Sequence, residues 1–96
     1  MRFAARSDEN QPEIVQALRA TGAAVTSLHR VGHGVSDLLV SFRQQWHVFE
    51  VKNPDKPAAD QELTLEQKKW IGLQRAPVIV VYRAFEAVDW LRRQRP

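Results

Sequence analysis

Residues 32–52 read G-H-G-V-S-D-L-L-V-S-F-R-Q-Q-W-H-V-F-E-V-K, and this stretch decides the fold. It contains two apolar runs, residues 38–42 and 46–51, which are separated by the polar residues 43–45. Short runs rich in branched and aromatic side chains favour strands, and a gap of this length is typical of a hairpin. The stretch therefore predicts two antiparallel strands joined by a short turn.

Three charged residues lie at the open end of this predicted hairpin. Asp37 begins the first strand, and Glu50 and Lys52 end the second. Because strand side chains alternate between faces, Glu50 and Lys52 point the same way. Asp37 and Glu50 are similarly far from the turn, so pairing of the strands brings the two carboxylates close together. Two carboxylates beside an ammonium group form a candidate site for a hard divalent cation.

A helix and a strand are predicted ahead of the hairpin. Pro12 is suited to the first turn of a helix and Gly22 to the position just after one, so we expect a helix at residues 11–21. Residues 23–28 then predict a first strand. Two glycines, Gly32 and Gly34, indicate either a flexible connection or a close approach of two backbone segments.

The region after the hairpin predicts a loop, a helix, a strand and a helix. Residues 53–62 are polar and predict a loop, and Thr64-x-x-Gln67 is a capping-box pattern that predicts a helix through Gln74. Residues 77–82 are almost continuously apolar, which is typical of a strand covered on both faces and parallel to its neighbour. A last helix is expected at residues 85–93. The apolar contacts of these two helices are assigned to Leu65, Trp70, Ile71 and Leu73, and to Phe85, Val88, Trp90 and Leu91.

Together these elements predict an α/β fold: one small domain, residues 1–96, of order αβββαβα with a central mixed sheet flanked by helices. Residues 1–7 are expected to be a loose arm. The 96 residues contain no cysteine, which excludes disulfides and thiolate zinc sites. No two histidines have the spacing of a helical zinc pair, and His29 and His47 are expected to be structural. No apolar run approaches the ~20 residues of a membrane helix, and the N-terminus lacks a signal-peptide core.

The net charge of +3 is compatible with binding to nucleic acid. Basic residues cluster in the tail and on the helix after residue 64, where a solvated surface is the simpler interpretation. Beside a candidate metal site, contact with phosphate becomes the better one. We therefore expect a cytoplasmic protein with nucleic acid, rather than a membrane, as its partner.

An Asp followed by Glu-x-Lys on the next strand resembles the signature of the PD-(D/E)XK nuclease superfamily. Three segments resemble its small stand-alone VRR-NUC-type and phage-encoded members: N-Q-P-E-I-V-Q-A-L-R-A-T-G-A at residues 10–23, G-H-G-V-S-D-L-L-V at 32–40, and L-T-L-E-Q-K-K-W at 63–70. The resemblance extends from about residue 8 to residue 91. The family usually has Pro before the Asp, where this chain has Ser36.

The resemblance implies a restriction-endonuclease-like fold and metal-dependent cleavage of DNA, structure-selective for branched DNA in some relatives. It implies Mg²⁺ as the cofactor, with Mn²⁺ able to substitute. The catalytic residues would be Asp37, Glu50, Lys52, Glu13 and Gln67, and the metal ligands Asp37, Glu50, Glu13 and the Val51 carbonyl. The nucleic-acid contacts are assigned to His33, Ser36, Lys56, Lys68 and Lys69.

Several of these roles have a simpler structural counterpart. Glu13 is also a first-turn acidic residue of the kind that the helix dipole favours. Gln67 can both close the capping box and point at the metal site. Lys52 lies beside two carboxylates, which favours its ammonium form and an electrostatic role over that of a general base.

Two other functions are open to the same fold. One is a nucleic-acid-binding module that has lost cleavage, although the presence of Asp37, Glu50 and Lys52 argues against it. The other is a nuclease subunit that needs a partner, for which a homodimer is the simplest form.

Overall fold

The predicted hairpin forms the centre of a four-stranded sheet in the computed structural model, which describes residues 9–95. The strands lie in the order β1-β2-β3-β4, antiparallel from β1 to β3 and parallel between β3 and β4. This is a small α/β domain with a mixed sheet, as predicted. The elements are α1 (Gln11–Ala20), β1 (Ala24–Ser27), β2 (Leu38–Phe42), β3 (Gln45–Val51), α2 (Ala58–Gln61), α3 (Leu65–Leu73), β4 (Val78–Val81) and α4 (Ala84–Arg93).

The segments predicted at residues 53–62 and 1–7 are not simply reproduced by the structure. The predicted loop at residues 53–62 contains the four-residue helix α2, which the short polar segment did not indicate. The predicted arm at residues 1–7 lies outside the described residues. The parallel pairing of β3 with β4 is confirmed, since Val48 pairs with Val78 and Val51 with Val81.

The turn between β2 and β3 is shorter than predicted. Gln45 pairs with Phe42, so the turn consists of Arg43 and Gln44 alone. Both residues have positive φ, 52° and 66°. Positive φ at both central residues characterises a type I′ turn, whose twist matches that of the flanking strands. The prediction of a three-residue gap was wrong because Gln45 is polar and yet continues the strand.

One face of the sheet carries the hydrophobic core. Alternate residues of β2 and β3 point to this face, and α1 and α4 pack against it. The fully buried apolar side chains are Ile14, Leu18, Ala23, Leu38, Val40, Phe49, Val51, Val81, Ala87 and Leu91. Each large side chain buried in this way contributes on the order of 1.5–3 kcal/mol relative to an exposed one. The core therefore holds α1, α4 and the hairpin together.

The opposite face is only partly covered, by α3. No residue of α3 is buried, and the half-buried positions of the helix and its C-cap are Gln67, Trp70, Ile71 and Gln74. These are spaced as i, i+3, i+4 and i+7, the stripe of a helix that lies on a surface. The assignment of Leu65 and Leu73 to the apolar contacts was wrong, since they lie off this stripe and are 69% and 73% exposed.

The prediction that β4 is covered on both faces was wrong for the same reason, because α3 covers only part of this side of the sheet. This strand is an edge strand, and Val78, Ile79 and Val80 are only half-buried. An apolar run therefore did not mean cover on both faces. On α4 the inward stripe runs through Ala84, Ala87 and Leu91, so Phe85, one residue away, is 67% exposed rather than packed.

The two histidines that were expected to be structural differ in their surroundings. His47 is buried on β3, and its Nδ1 accepts a hydrogen bond of 3.2 Å from Trp90 Nε1. Burial lowers the pKa of His47 below its ordinary value. His29 follows β1, with Nδ1 2.6 Å from Ser27 Oγ.

Among the described residues, no helix is long and apolar enough to cross a membrane.

Replacing Arg43-Gln44 by Asn-Gly should raise the free energy of unfolding by about 1 kcal/mol. Left-handed backbone costs an ordinary residue about 1–2 kcal/mol, whereas Asn-Gly is the preferred type I′ pair. Part of the gain is offset because the Arg43 guanidinium, 4.9 Å from the Phe42 ring centroid, is lost, and such a contact is worth about 0.5–1 kcal/mol. Urea unfolding measures the difference. Gln44→Ala, which keeps a side chain at positive φ, is the control and should give no gain; a less stable Asn-Gly variant would contradict a type I′ turn.

Candidate active site

The hairpin register brings Asp37 and Glu50 together. Leu38 pairs with Phe49, so one step further from the turn Asp37 stands opposite Glu50. The backbone N–H of Val51 donates a 2.7 Å hydrogen bond to Asp37 Oδ2. This bond fixes one oxygen of the Asp37 carboxylate at the end of the ladder between β2 and β3.

Glu50 and Lys52 lie on the same face of β3, away from the core, and a glutamine joins them. Gln67 Oε1 accepts a 2.8 Å hydrogen bond from Lys52 Nζ. Gln67 Nε2 donates a 3.2 Å hydrogen bond to Glu50 Oε2. Glu50 and Lys52 are 1% and 6% exposed, although they point away from the core. The three side chains thus form one connected polar cluster.

The start of α3 fixes the side chain of Gln67. Thr64 Oγ1 accepts a 3.1 Å hydrogen bond from the Gln67 N–H, and Gln67 Oε1 accepts one of 2.8 Å from the Thr64 N–H. This is the predicted capping box. Gln67 Oε1 therefore serves the helix start and Lys52 together. Both interpretations of Gln67, as a cap and as a residue that points at the candidate site, hold in the structure.

The environment of Glu50 favours its neutral form. Burial, and then the neighbouring Asp37 carboxyl group, raise the pKa of Glu50 to about 9, against the opposing effects of Lys52 and Ser36. Glu50 Oε1 is buried and has no hydrogen-bond partner among the described residues. A buried acceptor without a donor is costly, so this oxygen is suited to a cation or a proton.

Ser36 lies inside the site rather than on its surface. It is fully buried, and its Oγ has no hydrogen-bond partner of standard geometry among residues 9–95. Its hydroxyl is nonetheless close enough to Glu50 to favour the ionised carboxylate. The assignment of Ser36 to nucleic-acid contact stays a prediction; its side chain is as buried as that of Glu50. Ser36 therefore lies beside Glu50.

Glu13 is not joined to this cluster in the structure. It is exposed on the first turn of α1 and lines a cavity of about 300 Å³ with Asp55, Tyr82 and Arg83 among others. The part of the chain that the structure describes contains no group of three or more His, Cys, Asp or Glu side chains placed to hold a metal ion. The carboxylates that come together are Asp37 and Glu50. Val51 contributes its N–H to Asp37, while its side chain is in the core.

The candidates for nucleic-acid contact other than Ser36 are exposed side chains. Lys68 and Lys69 are exposed on α3, two residues or fewer beyond Gln67. Lys56 is exposed in the connection from β3 to α2, where its carbonyl accepts a hydrogen bond from Gln61 Nε2. His33 is exposed in the loop between β1 and β2 and has φ of 55°.

Asn10 supports β3 in a way that the sequence did not reveal. Its Nδ2 donates hydrogen bonds to the carbonyls of Lys52, at 3.0 Å, and Tyr82, at 2.8 Å. Asn10 stands at the N-cap position of α1, yet its side chain makes no cap hydrogen bond. It joins the ends of β3 and β4 to the start of α1 instead. An Asn at the start of a helix gives no local signal of such a long-range contact.

Gly34 supports the site from the other side. A Cβ atom built on Gly34 would lie 2.3 Å from the Glu66 carbonyl oxygen and 2.9 Å from the Gln67 nitrogen. The loop before Asp37 therefore packs directly on the first turn of α3, where Gln67 is held. The sequence allowed a close backbone approach at Gly32 or Gly34, and the structure assigns it to Gly34, since Gly32 has no atom within 4 Å of such a Cβ.

Gly34→Ala should destabilise the protein by roughly 2–3 kcal/mol, and Gly32→Ala by about 1 kcal/mol. Both glycines have positive φ, 81° and 69°, so each variant places an alanine in left-handed backbone. Only Gly34→Ala adds an overlap with backbone, and overpacking costs about 1–3 kcal/mol. Urea unfolding of the two variants measures the difference. Equal losses would show that the loop does not pack on α3 as described.

Relative to its effect at pH 4, Glu50→Gln should stabilise the metal-free protein at pH 8 by several kcal/mol, at roughly 1.4 kcal/mol per pH unit. The pKa of Glu50 is about 9 in the folded chain and 4.5 without the fold. Between these values the folded protein holds a proton that the unfolded chain has released, so wild-type stability falls as pH rises from about 4.5 to about 9. The amide side chain of the variant does not titrate in this range. Unfolding in EDTA from pH 4 to pH 9 tests this, with Glu66→Gln, an exposed position, as control; parallel curves for wild type and Glu50→Gln would contradict it.

Comparison with known proteins identified no relative of this chain. No protein-family model, no curated protein and no solved structure matches the chain. The resemblance to the PD-(D/E)XK superfamily accordingly stays a prediction, and the interpretation of the site rests on its residues and their arrangement.

Proposed function

We propose that this chain is a divalent-metal-dependent endonuclease that hydrolyses DNA phosphodiester bonds on a restriction-endonuclease-like fold. The observation that supports it is the cluster at the end of the hairpin. Asp37 and Glu50 lie opposite each other, and Gln67 joins Glu50 to Lys52 by two hydrogen bonds. If Glu50 and Lys52 were only a structural ion pair at the end of a strand, they would not need to be buried. They would also not need Gln67, whose side chain is fixed by the capping box of α3, between them.

The oxygen atoms of this cluster suit Mg²⁺. This ion binds hard oxygen ligands and usually takes one or two carboxylates, with water and substrate oxygens completing its shell. Asp37 and Glu50 would hold it, and Glu50 Oε1 accepts no hydrogen bond of standard geometry among residues 9–95. The Val51 carbonyl and Glu13 belong to the proposal only through the family resemblance. Mn²⁺ has similar ligand preferences and would be expected to replace Mg²⁺.

Each residue of the cluster has a separate task. When bound, the ion lowers the pKa of its water and polarises a phosphoryl oxygen. Lys52 supplies positive charge next to the carboxylates, where negative charge develops on the phosphate. Gln67 orients the Lys52 ammonium group and the Glu50 carboxylate toward each other. Burial of these groups keeps the electrostatic interactions strong, because bulk water screens them less.

The basic surface provides a place for the DNA backbone. Lys68 and Lys69 lie on the helix that carries Gln67, and Lys56 and His33 lie on the two connections that flank the cluster. Lysines near a cleavage site bind phosphates without reading sequence. The proposed substrate class is therefore DNA recognised through its backbone and shape, which includes branched DNA.

Asp37→Asn and Lys52→Met should each reduce cleavage by at least roughly a hundredfold, because one charge-stabilising group is usually worth that much. The assay compares linear, supercoiled and branched DNA with Mg²⁺ or Mn²⁺, and EDTA should abolish cutting. Asp60→Asn is the matched control, since Asp60 is an exposed carboxylate on α2. It should retain wild-type activity.

The results separate the proposed function from its alternatives. Circular dichroism must show that both variants remain folded, so that their loss of cleavage reflects the site rather than unfolding. Wild-type protein that binds DNA but never cuts it would overturn the nuclease and favour a binding module or a partner-dependent subunit. Cleavage that survives Asp37→Asn would place the chemistry elsewhere.

A further inference from the structure

A cavity of about 400 Å³ lies between α1 and the end of β1. It is lined by residues of α1, by Ser27 and by His29. Ser27 pairs with Leu38, a core residue, so the cavity lies on the opposite face of the sheet from Glu50 and Lys52. A volume of this size is within the range of small-molecule sites. The cavity is therefore a candidate ligand site that is separate from the candidate active site.

Gln11 is the residue of this cavity whose position the fold does not explain. It lies in the first turn of α1, and it is 4% exposed. Glutamine is mostly exposed in folded proteins. Its Oε1 is buried and has no hydrogen-bond partner among residues 9–95, which is costly. Because Gln11 also lines the cavity, a ligand that donates a hydrogen bond to its amide oxygen would remove this cost.

Arg19 provides positive charge at the other end of the cavity. Gln11 and Arg19 are eight residues apart in α1, or about 12 Å at about 1.5 Å per residue. The Arg19 side chain is oriented toward β1, since Nη2 donates a 3.1 Å hydrogen bond to the Val25 carbonyl. Among the described residues that line the cavity, none is acidic. A guanidinium group binds phosphate and carboxylate through paired N–H groups, so the cavity favours an anionic ligand.

The middle of the cavity is apolar. Pro12 and Val15 lie between the two ends on the same side of α1, where a flat ring can pack against them. His29 lines the cavity from the side of the sheet, and its ring is oriented by Ser27 Oγ, 2.6 Å from Nδ1. The cavity thus has an anion-binding end, an apolar middle and an amide at its far end.

A nucleoside monophosphate has a matching sequence of groups. Its phosphate suits Arg19, the face of its base suits the apolar middle, and the edge of its base suits Gln11. A glutamine amide pairs with adenine through two hydrogen bonds, in which Oε1 accepts from the N6 amine and Nε2 donates to N7. Adenine therefore supplies the donor that Gln11 Oε1 lacks. A fatty or aromatic carboxylate would leave this oxygen unpaired.

We propose that the cavity between α1 and β1 binds an adenine nucleoside monophosphate, with the edge of the base on Gln11 and the phosphate on Arg19. This site goes beyond the proposed nuclease and does not depend on it. It lies on the other face of the sheet and uses no residue of the cluster around Glu50.

Calorimetric titration of the full chain in EDTA tests the site without metal at Asp37 and Glu50. The probes are AMP, adenosine and inosine monophosphate. We expect saturable binding of AMP with a Kd below about 1 mM. Adenosine lacks the phosphate, and inosine monophosphate has a carbonyl where adenine has its amine. Each should therefore bind at least about tenfold more weakly than AMP.

Two variants locate the binding within the cavity. Gln11→Leu should weaken AMP binding about tenfold and remove the preference for AMP over inosine monophosphate. The fold should survive, because an apolar side chain replaces an amide with an unpaired oxygen. Arg19→Gln should lower the affinity for AMP to that for adenosine. Arg92→Gln, at an exposed arginine of α4, is the matched control and should bind AMP as the wild type does.

Several results would overturn the site. Wild-type protein that does not bind AMP would do so, as would equal affinity for AMP and adenosine or for AMP and inosine monophosphate. Binding of AMP that is unchanged in both Gln11→Leu and Arg19→Gln would place the nucleotide elsewhere on the protein. Cleavage of DNA is measured separately, with Mg²⁺ and with the variants of Asp37 and Lys52, so failure of one proposal leaves the other standing.

Discussion

The register of the β2–β3 hairpin is the constraint on which the rest of the structure depends. A type I′ turn of two residues leaves one pairing, in which Asp37 stands opposite Glu50. A slip of one residue would turn Glu50 and Lys52 into the core and Phe49 and Val51 out of it. The core residues of α1 and α4 therefore hold the site indirectly, because they stabilise the face that must point inward. The left-handed backbone at the two turn residues is a local cost of this arrangement.

The cluster itself is held by contacts from three parts of the chain. Gln67 joins Glu50 to Lys52 from α3, Gly34 lets the loop before Asp37 lie directly on the same helix turn, and Asn10 anchors the Lys52 carbonyl to the start of α1. Buried charged groups are expensive unless they are paired and hydrogen-bonded. Glu50 is only partly satisfied, and its raised pKa follows from that burial. A site that favours a proton in the absence of metal is one that a cation can occupy by displacing it.

The sequence predicted what depends on local pattern and on alternation. The hairpin, the capping box at Thr64 and Gln67, and the shared face of Glu50 and Lys52 all follow from spacing. What it could not predict depends on contacts across the fold. Leu65, Leu73 and Phe85 look like core residues, yet the single-sided packing of α3 and the phase of α4 leave them exposed. The burial of Ser36 and the bridge of Asn10 to two strands arise from tertiary contacts that no local pattern encodes.

The most direct test of the central claim is a titration of Mn²⁺ into the metal-free protein, followed by electron paramagnetic resonance. We expect saturable binding by the wild type, loss of binding in Asp37→Asn and Glu50→Gln, and unchanged binding in Asp60→Asn. Saturable binding that is lost only when either hairpin carboxylate is neutralised would establish that the register builds a metal site. Absence of binding, or equal binding by all variants, would contradict it and leave Asp37 and Glu50 without a cation to hold.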